Sequence, residues 1–278
     1  FSLALNAGAC AFIDADERKI TPEWPHLLLE PVLSGKYDFV SARYARHHHS
    51  ATITNHFAYP LMSALYGKLV RQPLGGEFAF SADLMGAYLD DPDVWVTDVG
   101  TYGTDNWLTS TAIINAAAMC EVDLGLKAHN FSYFDKRTIM FKQVTKALFS
   151  QIKQNISYWE EIDSTQPNEI VGPILNLNPE PVMHDYRTWI SSAKENYTNN
   201  RNVYKEILSP EMNDYLENIF GLGDDKFNFS SEKWVDCVYG FIDSYISRNV
   251  DSNEAFWDAF LALWQARVGS FMRETRDA

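Results

Sequence analysis

Two regimes of apolar and polar positions follow one another along this chain. Up to about residue 140, short apolar runs alternate with stretches of helical period. "CAFID" (10–14), "DFVSARY" (38–44), "GGEFAFS" (75–81) and "CEVDLGL" (120–126) have strand length and β-branched or aromatic content, which predicts four strands. Between them, "EWPHLLLEPVLSG" (23–35), "TITNHFAYPLMSALYG" (52–67), "ADLMGAYLDD" (82–91) and "DNWLTSTAIINAAAM" (105–119) predict helices. Thr21-Pro22-Glu23 reads as an N-cap with Pro at the first helical position, and Pro60 predicts a kink. "FSLALNAGA" (1–9) reads as the last turns of a helix closing at Gly8. Strands alternating with helices predict an α/β sheet.

From about Phe131 the pattern becomes helical, in "MFKQVTKALFSQIKQNISYWEEI", "DYRTWISSAKENY", "SEKWVDCVYGFIDSYI" and "NEAFWDAFLALWQARVGSFMRET". The Pro- and Asn-rich "STQPNEIVGPILNLNPEPV" (164–182) is the one linker-like stretch. The expected organisation is an α/β part over 1–140 and a helical region over 141–278. No internal repeat or low-complexity tract interrupts it.

Composition narrows the classes. Of 278 residues, 46% are hydrophobic and 14% aromatic, ample for a core and against wholesale disorder. A net charge of -14 repels phosphate backbones, and no basic patch offsets it, so no nucleic-acid partner is expected. Cys10, Cys120 and Cys237 lack paired spacing, which suits a reducing, cytoplasmic compartment and argues against disulfides or a zinc site. No apolar run reaches the ~20 residues that span a bilayer, and no basic leader opens the chain.

The candidate chemistry begins at "ACAFIDADERKITPEW" (9–24), where Asp14 and Asp16 follow a strand. Two acids after a strand are commonly solvated loop residues or a helix cap. They are also what a hard divalent cation bridging a diphosphate requires, and ligands of open α/β sheets sit at the carboxyl ends of the strands.

"DADERKITPEW", "DFVSARYAR", "TITNHFAYPLMSALYG", "RQPLGGEFAFS", "YGTDNWL" and "VDLGLKAHN", in this order, resemble the retaining GT-A type nucleotide-sugar transferases that make glucosyl- or mannosyl-phosphoglycerate and mannosylglycerate. The resemblance covers roughly residues 4–135 and returns in "LALWQARVGSFMRET". It implies a Rossmann-like GT-A sheet with a mainly helical C-terminal region. It also implies transfer of a hexose from UDP-glucose or GDP-mannose to a small acidic acceptor such as 3-phosphoglycerate or glycerate, with Mg²⁺ or Mn²⁺.

Residue by residue, the resemblance assigns the cation to Asp16 and His129, and the nucleotide side to Asp14 and Tyr102. Asp105 would grip donor-sugar hydroxyls from a position where many relatives carry Glu. Gly75 and Gly76 would let the backbone approach donor and acceptor, with Glu77 beneath them. "SATITNH" matches the acceptor loop: Thr54 fits, while Thr52 stands where phosphoglycerate-binding members have Arg. Losing that guanidinium loses a bidentate phosphate clamp, for which Arg43, Arg46 or His47-His48-His49 would have to compensate. Attack is implied to be front-side, with no Ser/His/Asp or Cys/His nucleophile in the sequence.

In such proteins the metal motif follows a nucleotide-binding half. At ~30 residues or more per βαβ unit, roughly 60 or more residues are expected upstream of Phe1. A sheet edge left open by their absence predicts association, for example as a homodimer. The rival reading from another class is a non-catalytic, degenerate transferase serving as a binding or assembly module.

Overall fold

The computed structural model describes residues 2, 5–127, 134–182, 185–248 and 250–276. They form two compact units, Phe1–Pro181 and Val182–Ala278.

The first unit is a mixed sheet with surrounding helices. Its elements in order are β1 (Ala9–Phe12), α1 (Trp24–Leu33), β2 (Phe39–Ala45), α2 (Tyr59–Tyr66), β3 (Lys68–Leu69), β4 (Phe78–Ser81), α3 (Ala82–Ala87), α4 (Thr104–Ile114), β5 (Met119–Leu126), α5 (Phe134–Gln154), α6 (Ile156–Trp159), β6 (Gln166–Pro167) and β7 (Glu169–Val171). Five strands pair in the order β1-β4-β2-β5-β7, and β3 pairs with β6. β4 is antiparallel to both β1 and β2, whereas β2, β5 and β7 are parallel. β1 therefore runs in the same sense as β2. The carboxyl ends of β1, β2 and β5 share one rim with the amino end of β4, and this places the site.

Period-2 alternation decides what each sheet face buries. Val40, Cys120, Val122 and Leu124 turn toward α1, which answers with Trp24, Leu28 and Val32 at helical spacing. The neighbouring positions Phe39, Phe78 and Phe80 face the other way, where Phe39 packs on Phe78 at 5.4 Å and Phe80 on Tyr88 at 5.1 Å.

Differences from the sequence expectations have local causes. α1 starts at Trp24, with Thr21-Pro22 forming the preceding turn, its carbonyl accepting from the Trp24 N–H at 3.1 Å. The Pro60 kink takes the form of a π-helical turn over Thr54–Ala58 that leads into α2. A wider turn accommodates a residue that lacks an N–H and whose ring crowds the preceding carbonyl. Residues 1, 3 and 4 of the expected first helix lie outside the described residues. The described part holds a single turn, with Asn6 left-handed at φ 54.

The expected linker is the larger correction. Glu169–Val171 joins the sheet as β7, parallel to β5 with Cys120 opposite Glu169 and Val122 opposite Val171. Lys36 and Tyr37 reach the Glu169 carboxylate at 3.1 and 2.5 Å and pin the strand at its start. Pro and Asn on either side hid this three-residue strand. The compositional change near residue 140 and the boundary between compact units, at 181, thus fall in different places.

The second unit contains α7 (Tyr186–Asn199), α8 (Arg201–Ile207), α9 (Pro210–Phe220), α10 (Ser231–Ser247) and α11 (Glu254–Glu274), with no strand among its described residues. Asp185, Ser209, Ser230 and Asn253 cap four of these helices through their side chains. α11 is buried along most of its length, so the broadly apolar "AFWDAFLALWQARVGSF" is a core helix. Its Arg267 is structural: the buried guanidinium bonds the Phe229 carbonyl and pairs with Glu274 at 2.6 Å, while Ser270 accepts from the Phe229 N–H. No helix of the described residues is long and apolar enough to cross a membrane.

Candidate active site

Four chain segments meet at the sheet rim. The loop after β1 brings Asp14, the turn before β4 brings Gly75, Gly76 and Glu77, the end of β5 brings Lys127, and the first turn of α4 brings Asp105. Lys127 is at the centre. Its side chain is 1% exposed, and its Nζ lies 2.5 Å from Glu77 Oε2 and 3.4 Å from Asp14 Oδ2 and also donates to the Gly75 carbonyl. Glu77 is fully buried and its Oε2 accepts from the Tyr44 hydroxyl as well. The Lys127 ammonium stands over the Tyr44 ring at 5.1 Å.

Burial raises the Glu77 pKa, opposed by the Lys127 ammonium and the Tyr44 hydroxyl. Asp105 is pushed up to about 7 by burial and by the Asp14 and Glu77 charges, with Lys127 and the Gly76 N–H pulling the other way. A carboxyl group that titrates near neutral pH thus faces the same rim.

Gly76 is required here for two separate reasons. Its φ is +76°, and a Cβ would lie 2.0 Å from Asp14 Oδ2 and 2.3 Å from its Cγ. The Asp14 carboxylate thus rests directly on the Gly76 backbone. Gly76→Ala is expected to displace Asp14 and to cost stability, about 1–2 kcal/mol from the left-handed backbone alone. Chemical denaturation of the variant checks this, and unchanged stability would contradict the packing.

Asp14 is held on one side by Lys127 and on the other by Gly76, yet its side chain remains 44% exposed. Asp16, two residues on, is exposed. Fixed and accessible carboxylate oxygens suit a hard divalent cation, which takes only one or two protein ligands when phosphate oxygens complete its shell. The donor set therefore fits Mg²⁺ or Mn²⁺. His129 lies outside the described residues.

The other expected residues are placed as follows. Thr52 and Thr54 are buried at the start of the helical segment that leads into α2. Tyr102 is exposed in the loop before α4. His47, His48 and His49 follow β2 and bring ligand atoms within 4.8 Å of one another. Burial and its two neighbours push His49 down to about 4, and burial lowers His47 too.

Lys127 and Tyr44 were not singled out from the sequence. Lys127 stands inside the quoted "VDLGLKAHN", and a lysine directly after a buried strand, on the rim that carries two aspartates, was the available signal. Tyr44 closes "DFVSARY" and reads there as an ordinary strand aromatic.

No family model matches the chain, and no curated protein matches it. Solved structures of glucosyl-3-phosphoglycerate synthase from Mycobacterium tuberculosis are similar to it. The complex with phosphoglyceric acid is 28% identical, with 52% of this chain and 50% of that chain covered and a TM-score of 0.44. The complex with Mn²⁺, uridine diphosphate and glucosyl-3-phosphoglycerate is 27% identical over 52% and 50%, at 0.45. The complex with Mn²⁺, UDP-glucose and glycerol 3-phosphate is 26% identical over 59% and 58%, at 0.42. The chain spans about half the length of the structures it matches.

Proposed function

We propose that this rim belongs to a metal-dependent retaining glycosyltransferase, which moves a hexose from a nucleoside diphosphate sugar to a small acidic acceptor. The observation that carries the reading is the convergence of Asp14, Glu77 and the Gly75 carbonyl on one buried lysine at the carboxyl rim of the sheet, with Gly76 against Asp14 and Asp105 bonded to the Gly76 backbone. The ordered motifs of the sequence point to the same chemistry, with UDP-glucose and 3-phosphoglycerate as the first pair to test.

Bound at Asp16 with Asp14 behind it, Mg²⁺ or Mn²⁺ would supply Lewis-acid neutralisation of a departing diphosphate. The chain's own residues position. Lys127 holds Asp14 and Glu77 in fixed orientations, and Glu77 in turn holds Lys127 and Tyr44. Gly76 lets the Asp14 carboxylate lie flat against the backbone, which fixes where its oxygens point. Asp105 in its ionised form accepts hydrogen bonds from sugar hydroxyls. Catalysis is then mainly orientation and preorganised charge. β1 is an edge strand with Phe12 exposed, and pairing along it would be the route to a dimer.

A donor-by-acceptor screen tests the reading: UDP-glucose and GDP-mannose against 3-phosphoglycerate and glycerate, with and without Mn²⁺. Metal-dependent turnover of one pair is expected. Donor and metal binding with no transfer to any acceptor would instead favour a degenerate binding module.

Asp105→Asn is expected to slow turnover about ten- to hundredfold, the loss of hydrogen bonds to a charged group worth about 1.5–3 kcal/mol. The wild-type rate should rise with pH through about 7 as Asp105 ionises. The variant should lack that limb. The stability effect has the opposite sense. Because the folded pKa is raised, the folded state keeps a proton that the unfolded chain has released, and stability falls as pH rises from about 4 to about 7. Asp105→Asn should therefore melt higher than wild type above pH 7, by roughly 2–4 °C per kcal/mol, and lose that advantage near pH 4.

A further inference from the structure

Three consecutive histidines follow β2. His47, His48 and His49 each bring a ligand atom to within 4.8 Å of the others. Their rings touch: His47 stacks on His48 at 4.2 Å, and His49 stands edge-on to both, at 5.0 and 4.2 Å. A solvated loop would spread three such side chains. Here His49 is buried, His47 is half-buried and His48 is exposed. Imidazoles this close repel one another when protonated, which favours the neutral form that binds metal.

The backbone beneath them is fixed. The Ser50 N–H donates to the His47 carbonyl at 2.8 Å, closing a turn, and the His49 N–H donates to His47 Nδ1 at 3.2 Å. The second bond keeps the Nδ1 lone pair inside the turn, where an ion could take it over. Asn55 anchors the turn from the helical side. Its Nδ2 donates to the Ser50 carbonyl at 2.9 Å, its N–H donates to the Ala51 carbonyl at 2.8 Å, and its Oδ1 accepts from Arg71 at 2.9 Å. Ala51 is left-handed at φ 51, a conformation that a residue other than glycine keeps only where its surroundings over-determine it.

We propose that His47, His48 and His49 bind a divalent transition metal ion of the Zn²⁺ class through their three imidazoles. Imidazole suits Zn²⁺, Ni²⁺ and Cu²⁺, whereas the carboxylates of Asp14 and Asp16 suit Mg²⁺ or Mn²⁺, so the two donor sets sort ions by chemistry. Ligand nitrogens about 2.0–2.1 Å from zinc lie roughly 3.4 Å apart in a tetrahedral shell. Closing from 4.8 Å to that spacing takes rotation of the side chains with the turn left in place. Three protein ligands leave the fourth position to water. The scattered cysteines argue against a thiolate zinc site, and this one uses none. An ion here would clamp the chain between β2 and α2, the segment that carries Thr52 and Thr54. The site stands whether or not the transferase reading does.

Thermal melts of the full chain test this, with Zn²⁺ as the probe. Unfolded histidines also bind zinc, and an ion held equally by folded and unfolded chains moves no melting point. A site preformed in the fold therefore predicts a rise. At about a hundredfold excess over the dissociation constant from calorimetric titration, the first unit should melt roughly 5–10 °C higher. Asp16→Ala should keep the rise. His48→Gln, at an exposed position and so the safe variant for folding, should lose most of it, and His47→Gln likewise. Mg²⁺ at the same concentration should give no rise that depends on the histidines. No rise in wild type, or one that survives either histidine variant, overturns the assignment. So does a rise that vanishes in Asp16→Ala, which would place the ion at the carboxylates instead.

Discussion

Lys127→Met is expected to destabilise the first unit by about 3–5 kcal/mol, the range for removing one partner of a buried ion pair. The lysine is 1% exposed and faces a fully buried Glu77 at 2.5 Å, so its loss leaves a carboxylate with no cation and no access to water. Methionine fills most of the volume, which leaves the charge as the main change. Lys127 is the largest influence holding the Glu77 pKa down against burial, and without it that pKa rises further. A folded-state pKa above the unfolded value makes ionisation destabilising, so the deficit should grow as pH rises and shrink in acid, where Glu77 is protonated in both states. Urea unfolding at pH 5 and pH 8 measures the difference. Glu77→Gln added to Lys127→Met should recover much of the loss at pH 8. A deficit that is the same at both pH values and indifferent to residue 77 would show that the ion pair is not what holds the rim together.

Asp16→Ala carries the largest expected effect on activity: metal-dependent turnover should disappear while the fold persists. Asp16 is exposed at the end of a strand and contributes little to packing, so stability should stay within about 0.5 kcal/mol of wild type, as for surface changes generally. Asp14→Ala should behave differently, because Asp14 is also a partner of Lys127 and rests on Gly76. Turnover assays over a range of Mn²⁺ concentrations, paired with thermal melts, separate the two. Full activity in a folded Asp16→Ala protein would remove Asp16 from the metal site.

The parts of the fold that follow from local periodicity were legible in the sequence. β4 lies within the stretch expected to form it, and β1, β2 and β5 each overrun theirs by one residue, because each is a short apolar run closed by turn residues. β7 was not legible, since three residues carry no period and its stability comes from pairing with β5 and from Lys36 and Tyr37. The seven-residue α8 escaped for a similar reason, whereas α9 was within reach of the sequence, with Ser209 as cap, Pro210 at its first position and Met212, Leu216, Ile219 and Phe220 on one face. The site shows the same division. Asp14, Gly76, Glu77 and Asp105 were named from the resemblance carried by ordered motifs, and they lie at one rim of the sheet. Lys127, which binds three of the segments together, was not, because a lysine after a strand reads as solvated until its burial is known.

The anomeric configuration of the first-formed product tests the central claim most directly. Proton NMR during metal-dependent turnover of UDP-glucose with the acceptor found in the screen should show an α-linked glucoside from the α-linked donor. Attack and departure then share one face, and Glu77 and Asp105 hold and position without forming a covalent bond. A β-linked first product would contradict the account. It would recast an acid on this rim, Asp105 with its pKa of about 7 before the others, as the base of an inverting enzyme.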